Sequence, residues 1–423
     1  MARNIHMVNF GMEKVFIKDK GILEKSVIVL LNALLFLVLF APTVMQVEKI
    51  ILMGILLLFL VVQVTTSRKM YIRPMILLWV WLYVTMDLFF LAEGVANNFN
   101  IFMELAPTYI FWPILYTLVL IIPVSYLKYT FQSTGIFVFS AFVIVIYILY
   151  IYLYFRGYAP KTFIIALPLG YSINYNFGYI NFFTPSISSL IFLIPYVISM
   201  LMNRKDFRKY NLIYLLLVLL LGIFIVFIVG RRALIFVVIV APIISIAWSL
   251  VASMNKKITS QVFIFFLFLL IIIAGYFLIA NYSTVGLRIQ NYTHLDKGIR
   301  YDEFLSLIHG WEQHPFLGSG LGVNASVVRS SVSGSYELTY IAQLFQTGLI
   351  GVGLYMSLVL WIFYKLIKIA RSNKACAAHI VALLTGMTCM FIANSTNPYI
   401  GNFDGLWIIF YPLALINLHK KGT

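Results

Sequence analysis

The sequence has few charged side chains and almost no cysteine. Only 10% of the 423 residues are Asp, Glu, Lys or Arg, whereas 62% are hydrophobic. A water-soluble globular protein needs more polar side chains to cover its surface, so this composition excludes that class. The two cysteines, Cys376 and Cys389, fall in or beside one apolar segment. This placement argues against a disulfide framework or a cysteine metal site.

Apolar runs of the length that crosses a bilayer repeat along the whole chain. A membrane-spanning helix needs roughly 20 predominantly apolar residues. We predict about twelve spans, near residues 26–41, 50–66, 74–91, 108–126, 136–155, 184–202, 212–229, 233–250, 260–280, 349–367, 377–393 and 405–418. The sequence therefore indicates an all-α, polytopic integral membrane protein, with residues 1–423 forming a single transmembrane domain.

Acidic residues are outnumbered by basic ones, which leaves a formal charge of +16. Such a charge could suit nucleic acid, but the Lys and Arg residues stand at helix ends and not on a soluble basic domain, so no nucleic-acid partner is expected. With the N-terminus inside, the sharpest basic clusters, at 68–73, 204–209, 256–257 and 365–374, all fall on the cytoplasmic side. The positive-inside rule therefore predicts that both termini are cytoplasmic.

Residues 281–348 form the longest break in the apolar pattern and are predicted to be a large external, periplasmic loop. Two amphipathic helices can be drawn in it, one over 300–314 and one that opens near residue 335 and runs into the tenth span. On the first helix one side is apolar, made of Tyr301, Phe304, Leu305, Leu307, Ile308 and Trp311. This helix could lie along the bilayer surface or over the mouth of the bundle. The glycine-rich run 318–322 predicts a flexible turn between the two helices.

Three charged residues stand where a charge is costly unless it is paired. Arg231, in the tight turn 230–233, is either an interfacial anchor that snorkels to lipid headgroups or an external anion clamp. Arg300 projects from the edge of an apolar face, where a lipid phosphate would serve as its partner. Glu337 falls on the apolar side of the second helix, either because the helix dipole favours an acid there or because it is a general base.

The histidines give little indication of a metal site. His309 and His314 are five residues apart, which is a poor spacing for sharing one helix face. Asp302 and Glu303 are adjacent and do not form a spaced acidic motif that would hold a divalent cation with a nucleotide diphosphate. The sequence therefore favours a metal-independent site with no cofactor.

The order of these segments resembles the superfamily of O-antigen ligases and O-antigen polymerases (Wzy-type). The resemblance rests on Gly-Arg-Arg-Ala-Leu at 230–234, on Arg300 followed by His-Pro-Phe-Leu-Gly-Ser-Gly at 314–320, and on Tyr-Glu-Leu-Thr-Tyr at 336–340 leading to Gly-Leu-Ile-Gly at 348–351. Ligases of this family typically carry histidine, often His-Asn, where this chain has Glu337 and Leu338. This departure favours a polymerase.

The resemblance implies an inverting glycosyltransferase of the bacterial inner membrane with its active site facing the periplasm. The donor would be an oligosaccharide on undecaprenyl diphosphate and the acceptor the next lipid-linked repeat unit, with membrane lipid and a chain-length-regulating co-polymerase as further partners. It implies that the catalytic residues are Glu337 as base with Arg300 and Arg231 on the diphosphate. Additional substrate-binding residues would be Arg232, Arg288, His314 and Tyr340.

Two other functions fit parts of the pattern. An O-antigen ligase would share this site but transfer the finished polysaccharide to lipid A-core. A lipid-linked oligosaccharide flippase or other transporter should carry charged residues on many helices, whereas here the polar residues gather on one side and Asp87 is almost alone within a span. No chemistry is assigned to Asp87 from the sequence.

Overall fold

The computed structural model describes residues 22–67, 72–97, 100–121, 135–160, 170, 172–176, 179–203, 209–252, 297–328, 334–401 and 403–419. Two of the features discussed above, the predicted span 260–280 and Arg288, lie outside these ranges. Within them the chain is mostly helical, as its apolar runs predict.

Thirteen α-helices are described in these ranges, and two of them are joined by a π-helical turn at Pro107–Phe111. They are α1 (Ile22–Phe40), α2 (Gln46–Ser67), α3 (Pro74–Asn97), α4 (Asn100–Ala106), α5 (Trp112–Ile121), α6 (Gly135–Phe155), α7 (Ile187–Asn203), α8 (Lys209–Val229), α9 (Arg232–Val251), α10 (Lys297–Gln313), α11 (Thr339–Ser372), α12 (Lys374–Asn394) and α13 (Trp407–Leu418). Seven helical stretches of the described chain are long and apolar enough to cross a membrane, and three shorter helices are also apolar. The helical membrane class is therefore confirmed, while the number of twelve spans stays a prediction.

A short antiparallel hairpin lies in the connection between α6 and α7. Strand β1 (Ser172–Asn176) pairs with β2 (Tyr179–Phe183), and Ser172 lies opposite Phe183. Polar and apolar residues alternate along β1, which is the period of a strand and not of a helix. With the N-terminus inside, the segment between the predicted spans 136–155 and 184–202 is predicted to be external, and the hairpin brings the end of β2 next to the start of α9.

The core of the described bundle surrounds α7. Nearly every side chain of this helix is buried, as expected for a helix that is apolar on all sides. Polar side chains join it to its neighbours: the Ser245 hydroxyl on α9 donates to the Ser199 hydroxyl on α7 at 2.8 Å, and the Thr385 hydroxyl on α12 donates to the same atom at 3.1 Å. Such hydroxyl contacts hold helices together inside a membrane, where apolar burial alone does not favour association.

Contacts between helix ends sort these ends into two groups. In one group the Ser186 hydroxyl donates to the Phe40 carbonyl, and Lys49 pairs with Asp404. In the other, the Arg73 backbone N–H donates to the Asn417 side chain. The charge pattern assigns the first group to the external side and the second to the cytoplasm, and that orientation stays a prediction.

Lys49 and Asp404 form a buried ion pair at the first group of helix ends. The Lys49 Nζ lies 2.7 Å from the Asp404 Oδ1, and both side chains are 1% exposed. The same ammonium also donates to the Ala41 carbonyl at 2.6 Å, and the Thr43 backbone N–H donates to Asp404. Burial raises the pKa of Asp404 to about 6, although Lys49 and Thr43 favour the charged carboxylate. The pair therefore ties the loop before α13 to the start of α2.

Replacing Lys49 with methionine is expected to destabilise the protein by about 3–5 kcal/mol, because it leaves the Asp404 carboxylate buried without its cation. Thermal unfolding of the purified protein in detergent measures this loss. The double variant Lys49→Met/Asp404→Asn should recover much of the loss, since no buried charge remains. Lys25→Met, at an exposed position on α1, is the matched control. Wild-type stability of Lys49→Met would contradict the prediction.

Candidate functional site

Helix α10 presents three different faces. Tyr301, Phe304 and Leu305 belong to the predicted apolar side together with Leu307, but these three are 60%, 38% and 45% exposed, whereas Leu307 is fully buried. The side of α10 that faces the protein is instead formed by Glu303, Leu307 and Gly310, which recur at helical spacing. The apolar residues of α10 therefore divide between two directions, one against the protein and one away from it.

Gly310 explains how α10 packs so closely. A Cβ atom at this position would lie 2.5 Å from the Phe345 ring of α11, so only glycine admits the contact. Leu307, Tyr336, Ala342 and Phe345 form a small hydrophobic cluster between the two helices. The exposed Tyr301, Phe304 and Leu305 then face away from the protein, an arrangement that suits the boundary of a bilayer.

Arg300 and Glu337, 37 positions apart in the chain, form an ion pair. The guanidinium of Arg300 contacts one carboxylate oxygen, Oε2, from Nε at 2.9 Å and from Nη2 at 2.7 Å. The two side chains are 37% and 32% exposed, so the pair is open to solvent on one side. The structure thus brings together two residues of the predicted external loop, both of which are predicted to be catalytic.

The position of Glu337 differs from the expected one. Helix α11 begins at Thr339, after the cap residue Leu338, so Glu337 precedes the helix. Its backbone N–H donates to the Oε1 atom of Glu303 at 3.0 Å. Glu303 is fully buried and was not a candidate in the sequence analysis. Glu303 lies three residues after Arg300, so the two residues share one helix face. This spacing could have indicated Glu303 from the sequence.

The segment 315–322 covers the start of α11 and is held in place by backbone hydrogen bonds. The amides of Ser319, Gly320 and Leu321 donate to the carbonyls of Phe345, Gln346 and Phe90 at 2.9, 3.0 and 2.8 Å. The expectation of a flexible turn is therefore wrong. The glycines are required for shape instead: Gly318, Gly320 and Gly322 have φ of 73°, 96° and 83°, a region that other residues rarely adopt.

Gly320→Ala is expected to disrupt this cover. Its φ is strained for alanine, and the added Cβ would lie 2.4 Å from the backbone nitrogen of Gly94. We expect a loss of more than about 1–3 kcal/mol, the usual cost of a residue forced into such a conformation. Thermal unfolding of the purified variant is the measurement. Gly353→Ala, on α11 with no atom within 4 Å of the added Cβ, is the control and should keep full stability.

A cavity of about 300 Å³ lies beneath this cover, between α3, α11 and the segment that follows α12. Polar residues of α11 line it, among them Gln343, Gln346 and Thr347, and the last two are buried there. The other polar lining residues include Tyr83, Asp87, Glu104, Tyr109, Tyr336, Tyr355 and Asn394. Burial raises the pKa of Tyr336 above its usual value, so its hydroxyl is neutral at physiological pH.

Arg231 lies on a second, smaller cavity of about 210 Å³. It occupies the N-cap position of α9, without a side-chain capping bond, directly after Gly230, whose φ of 64° makes the tight turn. Its guanidinium carbon lies 4.7 Å from the centroid of the Phe183 ring. Pro398 lines both cavities, so the two are neighbours. In the described structure Arg231 is therefore beside the main cavity but is not in contact with Arg300 or Glu337.

The remaining predicted site residues are dispersed. Arg232 is exposed at the start of α9, and His314 is exposed just beyond the end of α10. The Tyr340 hydroxyl donates to the Phe391 carbonyl of α12 at 2.7 Å, which holds α11 against α12. None of these three is among the described lining residues of either cavity. Arg288 lies outside the described residues.

Within the described ranges, no three His, Cys, Asp or Glu side chains come together in a way that would hold a metal ion. No protein-family model matches this chain. A comparison with curated proteins finds no match either.

Proposed function

We propose that this protein is a membrane glycosyltransferase that polymerises a surface polysaccharide such as O-antigen. It transfers a glycan from undecaprenyl diphosphate onto the next lipid-linked repeat unit at the periplasmic face of the inner membrane. The ion pair between Arg300 and Glu337 carries this proposal, because it unites a phosphate-binding cation with a carboxylate base beside a polar cavity. Tyr336 and Thr339, on either side of Glu337, both line that cavity.

The reaction is a direct displacement at the anomeric carbon of the donor. A hydroxyl of the acceptor sugar attacks this carbon while its proton passes to the carboxylate of Glu337. The bond from the anomeric carbon to the diphosphate oxygen breaks, and undecaprenyl diphosphate leaves with the electron pair. One displacement inverts the anomeric centre. The carboxylate must be accessible for this role, and the partial exposure of Glu337 allows it.

Arg300 has donors for both a carboxylate and a phosphate. Its contact with Glu337 uses the Nε and Nη2 edge of the guanidinium. The Nη1 edge points away from that carboxylate and can donate hydrogen bonds to a diphosphate oxygen. A cation placed where the leaving group gains negative charge lowers the barrier by several kcal/mol when water is excluded.

Arg231 supplies a second cationic position, in the smaller cavity. Ser189 and Asn397 line the same cavity and offer hydrogen-bond donors to an anion. Asp404 also lines it, but this carboxylate already pairs with Lys49. We therefore assign the diphosphate, or the lipid end of the donor, to the region between Arg231 and Arg300.

A deletion strain tests this function against its alternatives. If the protein is a polymerase, a gel of surface polysaccharide will show core capped with a single repeat unit. Bare core with polymer accumulating on the lipid carrier would identify a ligase, and single units stranded on the cytoplasmic side would identify a flippase.

In a second assay, purified protein given lipid-linked repeat units should form polymer in the presence of EDTA. A strict requirement for a divalent ion would contradict the metal-independent scheme.

A further inference from the structure

Several buried polar atoms of the main cavity lack partners. The Oδ2 atom of Asp87, the hydroxyl of Thr339 and the indole nitrogen of Trp79 are buried, and within the described residues none of them has a hydrogen-bond partner. All three residues line the cavity. A buried polar group without a partner is destabilising, and proteins seldom keep several in one place without a reason. This concentration indicates that a ligand supplies the missing partners.

The charge of the cavity restricts the chemistry of that ligand. Asp87 and Glu104 line it, whereas none of its described lining residues is Lys, Arg or His. A cavity lined by two acidic side chains and no cation offers a diphosphate no positive charge. The anionic part of a lipid-linked substrate must therefore lie elsewhere, as the positions of Arg231 and Arg300 also require.

The remaining lining residues suit a ligand rich in hydroxyl groups. Tyr83, Tyr109 and Tyr355 provide aromatic surface with polar tips. Gln343 adds an amide that both donates and accepts. A volume of about 300 Å³ is at the lower end of the range for small-molecule sites. An uncharged sugar fits this combination better than a lipid chain or an anion.

We propose that the main cavity binds the glycan of the substrate and that Asp87 is its principal recognition residue, accepting hydrogen bonds from sugar hydroxyls. This proposal rests on the proposed function for the identity of the glycan. Glu337 lies between two residues of the cavity wall, so a sugar held at Asp87 and Thr339 has a route to the base. Asp87 then acts in binding, whereas Glu337 acts in proton transfer.

The test uses the full-length purified protein in nanodiscs. The probe is the oligosaccharide repeat unit, released by mild acid from the lipid carrier of the deletion strain, and calorimetry measures its binding. Asp87→Asn should weaken binding at least tenfold, and Thr339→Val should weaken it several-fold. Both variants should be as thermally stable as the wild type, since the described structure gives the two removed atoms no partner. Binding of undecaprenyl diphosphate should not change in either variant.

Asp302→Asn, at an exposed acid on α10, is the matched control and should bind the oligosaccharide as the wild type does. Unchanged affinity in both cavity variants would overturn the proposal. So would failure of the wild-type protein to bind the oligosaccharide, even if it forms polymer. Binding of sodium ions that Asp87→Asn abolishes, without any oligosaccharide binding, would also overturn it in favour of a cation site.

The outcome separates this inference from the proposed function. If the wild type binds the oligosaccharide through Asp87 but forms no polymer from lipid-linked units, the inference stands and the polymerase function fails. If polymer forms and both cavity variants retain wild-type affinity, the function stands and the glycan lies elsewhere.

Discussion

Glu337→Gln is expected to stop chain growth while leaving the protein in the membrane. Glutamine has nearly the same size, and its side-chain oxygen can still accept from the Arg300 guanidinium. The backbone N–H at position 337 also keeps its bond to Glu303. What the variant loses is the ability to take a proton from the acceptor hydroxyl. The rate should fall about 10²- to 10⁴-fold, the usual contribution of a general base.

Polymer formed from lipid-linked repeat units by equal amounts of purified protein measures this effect. Glu337→Asp should retain part of the activity, because a proton acceptor remains but is displaced by one methylene group. Glu312→Gln changes an acid that is 63% exposed on α10 and should be fully active. If Glu337→Gln still produces long chains, another group is the base.

Arg300→Lys is expected to lose most activity although the positive charge remains. A lysine ammonium is a single point donor, whereas the guanidinium contacts Glu337 along one edge and leaves its other edge for a phosphate oxygen. The loss should be on the order of 10²-fold, as when an enzyme loses a donor that stabilises developing negative charge. The effect should appear in kcat more than in KM, because that charge develops in the transition state.

Arg156→Lys is the matched control for this substitution. Arg156 is exposed, its guanidinium carbon lies 5.5 Å from the Tyr152 ring centroid, and it follows α6 in a segment also predicted to be external. It should form polymer at the wild-type rate. Near-normal polymer from Arg300→Lys, with the variant present at the wild-type level, would remove the guanidinium fork from the mechanism.

Periodicity and composition were sufficient for part of the candidate site. The surface helix, predicted over 300–314, is α10 at Lys297–Gln313. The prediction that Arg300 and Glu337 need partners was reached from the cost of a charge on an apolar face. The structure shows that each is the partner of the other. The ion pair itself could not be predicted from the sequence, because the two residues are far apart in the chain. Neither residue indicates how the segment between them folds.

The same reasoning does not determine what covers a face that protein, lipid or a cavity could each cover. Tyr301 and Leu307 belong to one apolar arc, yet the first is exposed and the second fully buried. Gln346 and Thr347 form a polar side, yet they are buried against a cavity and do not face water. A helical period shows which residues share a face. It does not show whether protein, lipid or a cavity lies against that face.

The sequence by itself determined the class of the protein, because repeated apolar runs of roughly 20 residues satisfy their backbone in a membrane by forming helices. It also determined which charged residues needed an explanation. Only the tertiary structure decided that Glu303 supports Glu337, that glycines fix the cover at 318–322, and that Asp87 lies in a cavity beneath it. These features depend on contacts between segments that are distant in the chain. Local propensity carries no information about such contacts, since they form only when the whole bundle packs.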